Sequence, residues 1–377
     1  MKKPLLMIYY TIIIRIHLHF LEAMSLSGMT NYAKLICEKR LLFIILKQYM
    51  KCTFPKCTED KKWVLLTYSE VTPKPRSCTE DRTNISRFII RKEQENMPLK
   101  LMYITNNPDI ALIAEHAGVD RIFVDMEYIG KTARQGNLDS VQNHHTAEDV
   151  KAIRNVLTKA KLLVRVNPVH EATNEYSSSE NEIDAVIDAG ADIIMLPFFK
   201  TVNEVRRFIA CVNGRARVSL LLETPEAVAL ADTIFAVPGI DEVHIGLNDL
   251  SLGYGKTFMF ELLCDGTIEA LCLKLRHSGI PYGFGGIASI GSGMLPAEAI
   301  LKEHYRLGSS MVILSRSFCN VNKDKNFDYI REKFEIGIRS MRAFEKEIAV
   351  HSRYFEENET FILETVQEIV SRIKSGK

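Results

Sequence analysis

Two acidic side chains, Glu223 and Asp249, stand where apolar runs of the sequence break. The run at 218–223 ends on the first acid before a Thr-Pro pair, and the run at 243–248 leads to the second before a stretch of Gly and Ser. Two carboxylates that meet in space repel each other unless a cation lies between them. Ligand sets made only of oxygen are typical of Mg²⁺ or Mn²⁺ rather than zinc. We therefore predict a divalent metal site here; the alternative is that each acid caps the helix that follows it.

Arg165 is the third residue that suggests chemistry, because it lies within the apolar run "LLVRVNP". A planar guanidinium with several donors suits the stabilisation of a substrate oxyanion. The alternative is an ion pair with Glu127 or Glu223. Either role requires the run that carries Arg165 to end at the same place as the runs that carry the acids.

From Met97 onward, apolar runs alternate with helical patterns. Most of the runs are almost continuously apolar, which is typical of strands buried on both faces. The intervening segments show capping boxes at Thr146–Asp149 and Thr201–Glu204, and Gly190 is suited to a left-handed helix end. The predicted strands are 99–105, 121–127, 161–167, 192–198, 218–224, 242–248, 280–286 and 311–317.

Strands and helices that alternate in this way predict the α/β class and a (β/α)8 TIM barrel with a C-terminal helical extension. An open, doubly wound sheet is the alternative, but the Gly-rich fingerprint typical of that fold does not follow the first strand. In a barrel, active sites lie at the C-terminal ends of the strands. We therefore expect Glu223, Asp249 and Arg165 to meet at one mouth.

The barrel motifs occur in the order "FVDMEY", "VRVNP", "DAGADIIMLPF", "LLETPEAV", "PGIDEVHIGLNDLS" and "GFGGIA". As an ordered set, over roughly residues 98–319, they resemble the HpcH/HpaI aldolase and citrate lyase β-subunit family of the phosphoenolpyruvate/pyruvate-binding barrels. The resemblance implies metal-dependent cleavage or formation of a carbon–carbon bond beside the carboxylate of a 2-oxo acid, typically pyruvate.

The resemblance also implies a role for each matching residue. Glu223 and Asp249 match the metal ligands, with Mg²⁺ or Mn²⁺ as the ion, and Arg165 matches the arginine that stabilises the enolate. Backbone N–H groups around Asn248 and Asp249 match those that hold the pyruvate carboxylate. The metal then acts as a Lewis acid on the 2-oxo acid.

The chain departs from the family pattern at Tyr128. Members of the family often place a histidine base after an Asp–X–Glu motif, whereas here Asp125 and Glu127 are followed by tyrosine. Tyrosine is a poor base at neutral pH. We expect Asp125 and Tyr128 in the catalytic group and Glu127 among the substrate contacts. The base is then a repurposed Tyr128, a water on the metal, or a neighbour such as His144 or His145.

Two further stretches are candidates for substrate binding. Lys131 and Arg134 form a small basic patch in the loop before the histidines, where they hold an acidic or phosphorylated aldehyde partner or are simply solvated. Gly285 and Gly286 end the seventh strand. Glycines there let the backbone approach a ligand closely, and a tight turn is the alternative.

Charge divides the chain into unlike segments. Residues 1–96 carry 17 Lys/Arg and 9 Asp/Glu, so the remainder carries 48 − 17 = 31 against 47 − 9 = 38. We expect 1–96 to be a basic N-terminal extension, 97–320 the barrel, and 321–377 helices that contact another subunit or pack on their own barrel. The extension is interpreted as a poorly ordered segment, a membrane-surface anchor or, preferably, a stretch joined to a protein that begins at Met97.

The function predicted from these features is that of a metal-dependent carbon–carbon lyase acting on a 2-oxo acid aldol. A CoA-thioester lyase of the citrate or malyl type is one alternative, and a barrel that binds a keto acid or sugar acid without turnover is another. The net charge of +1 gives no reason to expect nucleic acid. We expect a cytoplasmic protein with reduced thiols, a small-molecule partner and no membrane association. The resemblance implies a homo-oligomer.

Overall fold

Eight parallel strands close into a barrel in this computed structural model, which describes residues 98–130, 145–321, 326–350 and 354–376. Each strand pairs with the next along the chain, and the last pairs with the first. The α/β class and the (β/α)8 barrel are confirmed. The strands are β1 Lys100–Ile104, β2 Arg121–Asp125, β3 Lys161–Arg165, β4 Ile193–Leu196, β5 Arg217–Leu222, β6 Glu242–Ile245, β7 Tyr282–Ile287 and β8 Met311–Leu314.

Helices connect the strands and continue beyond the barrel. Both predicted capping boxes are confirmed, with Thr146 and Thr201 at the N-caps, and Gly190 has a φ of +98° after its helix. The helices are α1 Pro108–Ala117, α2 Ala147–Val156, α3 Ser179–Asp188, α4 Val202–Val212, α5 Pro225–Ala229, α6 Ala231–Phe235, α7 Leu247–Gly253, α8 Glu261–Cys264, α9 Thr267–His277, α10 Ala297–Leu307, α11 Phe327–Val350 and α12 Tyr354–Lys374.

Most strands end two or three residues before the position that the apolar pattern predicts. The run at 242–248 is the clearest correction, because β6 ends at Ile245 and Asp249 lies in the first turn of α7. Several residues just beyond the strands, such as Glu127, Asn167 and Glu223, are polar and yet buried at the mouth, although the ladder of backbone hydrogen bonds has ended there. Burial therefore does not mark the strand boundary.

The interior of the barrel is filled by a cluster of apolar side chains separate from the layer between strands and helices. Side chains two positions apart on a strand face the same side. On β2, β3 and β5, the residues two positions after the cluster members are Asp125, Arg165 and Glu223, so these three side chains are directed to the C-terminal mouth. The cluster consists of Met102, Phe123, Leu163, Ile193, Met195, Leu221 and Met311.

An ion pair closes the opposite, N-terminal end of the barrel. Arg121 begins β2 and Glu242 begins β6, and Nη1 and Nη2 donate to the two carboxylate oxygens at 2.5 and 2.8 Å. The two side chains are 3% and 1% exposed. The ion pair of Asp125 with Arg165 at the mouth is of the same type, and Asp125 lies at the other end of β2.

The apolar stripe of α11 packs on the barrel of its own chain. Glu345 accepts a hydrogen bond from the backbone N–H of Leu99 at 2.8 Å, and the ring of Phe334 meets that of Tyr103 edge-on at 4.8 Å. The stripe therefore follows the alternative of burial on its own barrel, and a subunit contact stays a prediction. Its buried members are Ile330, Phe334, Ile338 and Met341.

The remaining expectations concern the N-terminal extension, membrane association and the cysteines. The extension over 1–96 lies outside the described residues. Among the described helices, none is long and apolar enough to cross a membrane. The cysteines in the described part of the chain are not joined to one another by disulfides; they are Cys211, Cys264, Cys272 and Cys319.

Candidate active site

Arg165 and Asp125 form a bidentate ion pair at the mouth of the barrel. They are the last residues of β3 and β2 and lie opposite each other in the register of the two strands. Nε and Nη2 of the guanidinium donate to Oδ1 and Oδ2 at 2.7 Å each. The arginine side chain is 12% exposed and the aspartate 2%. Two parallel charge-assisted bonds fix the plane of the guanidinium as well as its position.

Glu127 is the second carboxylate that contacts the guanidinium of Arg165. Its Oε2 lies 3.2 Å from Nη1 of Arg165, and its backbone N–H donates to Oδ1 of Asp125 at 3.2 Å. Burial alone would lower the pKa of Arg165, but the carboxylates of Asp125, Glu127 and Glu223 outweigh it and hold that pKa well above its ordinary value. The guanidinium is therefore permanently charged. The ion pair with Glu127 that the sequence allowed is present, and a substrate-binding role for Glu127 stays a prediction.

Glu223 directly follows β5 and is 3% exposed. Its Oε1 accepts the backbone N–H of Phe198 at 3.0 Å. Its Oε2 faces Gly246, where an added Cβ would lie 2.8 Å from that oxygen. Only glycine leaves room for the carboxylate at the junction of β6 and α7. The helix cap that follows β5 is Thr224, whose Oγ1 accepts the N–H of Ala227 at 3.2 Å, so Glu223 does not serve as that cap.

Asp249 and Asn248 lie in the first turn of α7, beyond the end of the strand that neighbours β5. Asp249 is half-buried and Asn248 is exposed. The N-cap of α7 is Gly246. The structure thus brings both predicted metal ligands to the C-terminal side of adjacent strands, one from a strand end and one from a helix turn.

The chemistry of this donor set fits a divalent cation. Four carboxylates lie at the ends of β2, β5 and β6 with one guanidinium, a formal sum of 1 − 4 = −3 if all are ionised. A site that receives an anionic substrate needs positive charge to offset this excess. In the described part of the chain, no group of three or more His, Cys, Asp or Glu is placed to hold an ion. Two carboxylates, with water and substrate oxygens completing the shell, match the habits of Mg²⁺.

Tyr128 lies at the rim, and its side chain is 43% exposed. Partial burial, followed by the charges of Glu182 and Glu175, raises the pKa of its phenol. A raised pKa keeps the hydroxyl protonated at neutral pH, which makes tyrosine a hydrogen-bond donor and weakens it further as a base.

His145 is one of the two histidines proposed as a neighbouring base, and it reaches the mouth. The backbone N–H of Asp125 donates to its Nδ1 at 3.0 Å. A neutral imidazole that accepts at Nδ1 carries its proton on Nε2. In this arrangement the ring can donate a hydrogen bond from Nε2, whereas accepting a proton at Nδ1 would require it to give up the contact with the backbone N–H of Asp125.

The glycines at the end of β7 are held by packing within the protein. Gly285 has a φ of +54°, and a Cβ there would lie 2.7 Å from Leu247. Its carbonyl lies 3.0 Å from Nε2 of the buried His244. Gly286 lies at an irregularity in the pairing with β8. These contacts explain the glycines by close packing and backbone conformation, and a ligand contact for either stays a prediction.

Sequence reasoning did not single out Asn167 and Glu182, which support the residues above. Asn167 follows β3 by two residues, and its Oδ1 accepts the backbone N–H groups of Tyr128 and Ile129 at 2.9 Å each. The only signal in the sequence was the position of this asparagine directly after the strand of Arg165. The remaining predicted residues, Lys131, Arg134 and His144, lie outside the described part of the chain.

Comparison with known proteins gives a consistent set of matches. The family model described as HpcH/HpaI aldolase/citrate lyase matches residues 100–262. A 4-hydroxy-4-methyl-2-oxoglutarate aldolase of Chaetomium globosum is 22% identical over 214 residues, covering 48% of this chain and 72% of that protein. A hydroxypyruvate/pyruvate aldolase of Sagittula stellata is 27% identical over 149 residues, covering 31% of this chain and 57% of that protein.

Solved structures of similar proteins include two from bacteria. An HpcH/HpaI aldolase/citrate lyase family protein of Burkholderia cenocepacia has 16% identity and a TM-score of 0.47, covering 64% of this chain and 99% of its own. An HpcH/HpaI aldolase of Desulfitobacterium hafniense has 18% identity and a TM-score of 0.45, covering 64% and 96%. Residues 100–262, within the barrel, therefore match the HpcH/HpaI aldolase/citrate lyase family, and this match together with the two relatives named as aldolases supports a carbon–carbon lyase.

Proposed function

We propose that the chain cleaves or forms an aldol of a 2-oxo acid through a pyruvate-like enolate, with Mg²⁺ or Mn²⁺ held by Glu223 and Asp249. The observation that carries this proposal is the guanidinium of Arg165, seated by buried carboxylates beside Glu223 at the barrel mouth. Cleavage leaves negative charge on the former keto oxygen, and a fixed cation is the group that stabilises such charge as it develops.

Arg165 retains donors for this role. A guanidinium has five N–H groups. Three are engaged by Asp125 and Glu127 in the described structure, which leaves 5 − 3 = two, one on each Nη. We infer that these two N–H groups bind the enolate oxygen, while Asp125 and Glu127 hold the guanidinium in place. Because its orientation is set before substrate arrives, little reorganisation is needed in the transition state.

A divalent cation, when bound, supplies Lewis acidity toward the carboxylate and keto oxygens of the 2-oxo acid. Glu223 contributes a carboxylate oriented by the N–H of Phe198 and by the space at Gly246. Asp249 contributes the second, and backbone N–H groups near Asn248 bind the substrate carboxylate.

Two residues at the rim are suited to donate hydrogen bonds to the substrate. His145, with its proton on Nε2, is suited to donate a hydrogen bond to a substrate oxygen. Tyr128, with its raised pKa, is suited to donate a hydrogen bond to the aldehyde oxygen. In these protonation states neither His145 nor Tyr128 is the base that accepts the hydroxyl proton during cleavage.

The substrate class is inferred from the site and from the relatives. The names of the two relatives contain 4-hydroxy-4-methyl-2-oxoglutarate and hydroxypyruvate/pyruvate, which are all 2-oxo acids or their aldols. We propose that a 2-oxo acid of the size of pyruvate or hydroxypyruvate provides the enolate in the reaction of this chain.

Release of 2-oxo acid by the full chain tests this function. Hydroxy-2-oxo acids and CoA thioesters would be supplied in turn, with Mg²⁺, with Mn²⁺ and with EDTA. We expect a hydroxy-2-oxo acid to be cleaved with metal and not with EDTA. Turnover that is insensitive to EDTA would overturn the metal role, turnover of CoA thioesters alone would indicate the citrate or malyl type, and binding without turnover would indicate a non-catalytic barrel.

We also propose the organisation that the sequence predicts: an extension over 1–96, a barrel over 97–320 and terminal helices over 321–377, assembled as a cytoplasmic homo-oligomer. Cysteines among the described residues that are not joined to one another by disulfides support a reducing compartment. Light scattering on the purified chain measures the assembly, and a monomeric mass at working concentration would contradict it.

A further inference from the structure

Asn167 connects the end of β3 to the turn that follows β2. Its side chain is 3% exposed, and its Oδ1 accepts two backbone N–H groups in succession, from Tyr128 and Ile129. These amides lie just beyond the strand, where the ladder of β2 and β3 no longer pairs the backbone. A buried N–H without a partner is costly, so the asparagine provides what the ladder does not.

Glu182 on α3 holds Asn167 in turn. Nδ2 of Asn167 donates to Oε1 of Glu182 at 2.7 Å, and the backbone N–H of Asn167 lies 3.2 Å from both carboxylate oxygens. The glutamate is 9% exposed. The amide is thereby fixed in one orientation, with its oxygen toward the turn and its nitrogen toward α3, because a flipped amide would lose all three side-chain hydrogen bonds.

The turn held in this way carries two residues of the candidate site. Glu127 precedes the first anchored amide and reaches Nη1 of Arg165, and Tyr128 supplies that amide itself. The backbone direction at Tyr128 therefore decides whether Glu127 meets the guanidinium and where the phenol stands at the rim. A series of contacts thus runs from Glu182 on α3 through Asn167 and the turn to the ion pair of Glu127 with Arg165.

We propose that Asn167 and Glu182 are positioning residues for the lyase reaction, acting through the turn at Glu127 and Tyr128. This inference rests on the proposed function, because it assigns these residues to the same site. The competing interpretation is a buried polar pair that stabilises the fold and has no influence on the chemistry.

A second buried asparagine–glutamate pair offers a matched control. Asn358 on α12 is 4% exposed, and its Nδ2 donates to Ala299 O and to Oε1 of Glu303, both at 3.1 Å. This pair joins α12 to α10 on the outside of the barrel. We expect Asn167→Ala to lower kcat by about 10²-fold with little change in KM, since a small misplacement of catalytic groups has that effect. Asn358→Ala should lower the melting temperature and leave kcat unchanged.

A double variant that swaps the amide and the carboxylate between positions 167 and 182 distinguishes a positioning role from a general loss of folding. In the double variant Asn167→Asp/Glu182→Gln, the carboxylate at 167 still accepts both amides, and the new amide at 182 donates to it. Charge and hydrogen bonds are conserved, so we expect kcat within about threefold of wild type. Asn167→Asp alone places two buried carboxylates together and should lose activity. A double variant no better than this single one would overturn the proposal.

Hydrogen exchange at the amides of Tyr128 and Ile129 separates this inference from the proposed function. Both amides should be protected in the full chain, exposed in Asn167→Ala and protected again in the double variant. If the wild type cleaves no 2-oxo acid aldol but exchange follows this pattern, the proposed function fails and the anchoring stands. Unchanged protection in Asn167→Ala, or equal loss of kcat in Asn167→Ala and Asn358→Ala, overturns the positioning role.

Discussion

Replacing Arg165 by lysine should lower kcat far more than it raises KM. Lysine keeps the positive charge beside Asp125 and Glu127, so neither buried carboxylate is left without a counter-charge. It lacks the planar fork, however, and cannot make the paired 2.7 Å contacts and also present two donors to a substrate oxygen. Loss of a donor that stabilises developing charge lowers the rate by about 10²–10³-fold, or about 2.7–4 kcal/mol.

The expected stability loss has to be separated from that kinetic effect. Removing one partner of a buried ion pair completely lowers the free energy of unfolding by about 3–5 kcal/mol. Arg165→Ala is therefore a poor probe, because a loss of stability would obscure the kinetic effect. Arg121→Lys is the matched control, because Arg121 grips Glu242 with the same fork at 2.5 and 2.8 Å at the opposite end of the barrel. Both lysine variants should lose similar stability, while only Arg165→Lys should lose kcat.

Initial rates of 2-oxo acid release over a range of substrate concentrations, with urea unfolding of the same samples, decide between these effects. A contact that strengthens as charge develops affects kcat, whereas uniform binding affects KM. If Arg165→Lys and Arg121→Lys lower kcat by the same factor, the effect is one of stability. If KM alone rises in Arg165→Lys, the arginine binds substrate without stabilising the enolate.

The remaining predictions concern the metal site, the rim and the extension. Glu223→Gln and Asp249→Asn should each abolish Mn²⁺ binding with the fold retained, and unchanged affinity in a calorimetric titration would exclude that residue as a ligand. Gly246→Ala should weaken Mn²⁺ binding and lower kcat by about tenfold or more, because the new Cβ would lie 2.8 Å from Oε2 of the adjacent glutamate; wild-type values in both assays would show that the carboxylate can move without loss. Tyr128→Phe should lower kcat by about tenfold or less, about 1.4 kcal/mol, because the raised pKa makes the phenol a donor. A nearly inactive variant, with a wild-type rate that climbs toward high pH, would make that tyrosine the base, whereas a gain of aldol cleavage in Tyr128→His would show that the mouth retains aldolase geometry. A chain that begins at Met97 should be soluble and unfold cooperatively, and its aggregation under conditions where the full chain stays soluble would make the preceding segment part of the fold.

Local patterns in the sequence were sufficient to predict the elements and their order. The capping boxes at Thr146 and Thr201 depend on contacts across three residues, and a run of apolar residues with a helix after it is recognisable without knowing its neighbours. The strand ends were less predictable. The predicted strand 242–248 extends past the end of β6 at Ile245, because Leu247 is buried although it already belongs to α7, and burial does not require pairing in the sheet.

The terminal helices show the limit of periodicity. The stripe of α11 predicts one buried face, and it says nothing about which surface covers that face. In the structure, Phe334 meets Tyr103 of β1 and Glu345 binds the backbone at Leu99, so the barrel of the same chain covers it. Contacts between residues more than 200 positions apart have no signature in a helical pattern.

The sequence by itself determined the barrel and the acids and arginine that follow its strands, because strand period, strand order and turn residues are local properties. The tertiary structure alone decided which of those residues meet. Asp125 forms an ion pair with Arg165 because β2 and β3 pair in a register that sets the two residues opposite each other. A shift of that register by a single residue would turn one side chain to the opposite face of the sheet. The space for Glu223 at Gly246, likewise, exists only where β5 and β6 lie side by side in the closed barrel.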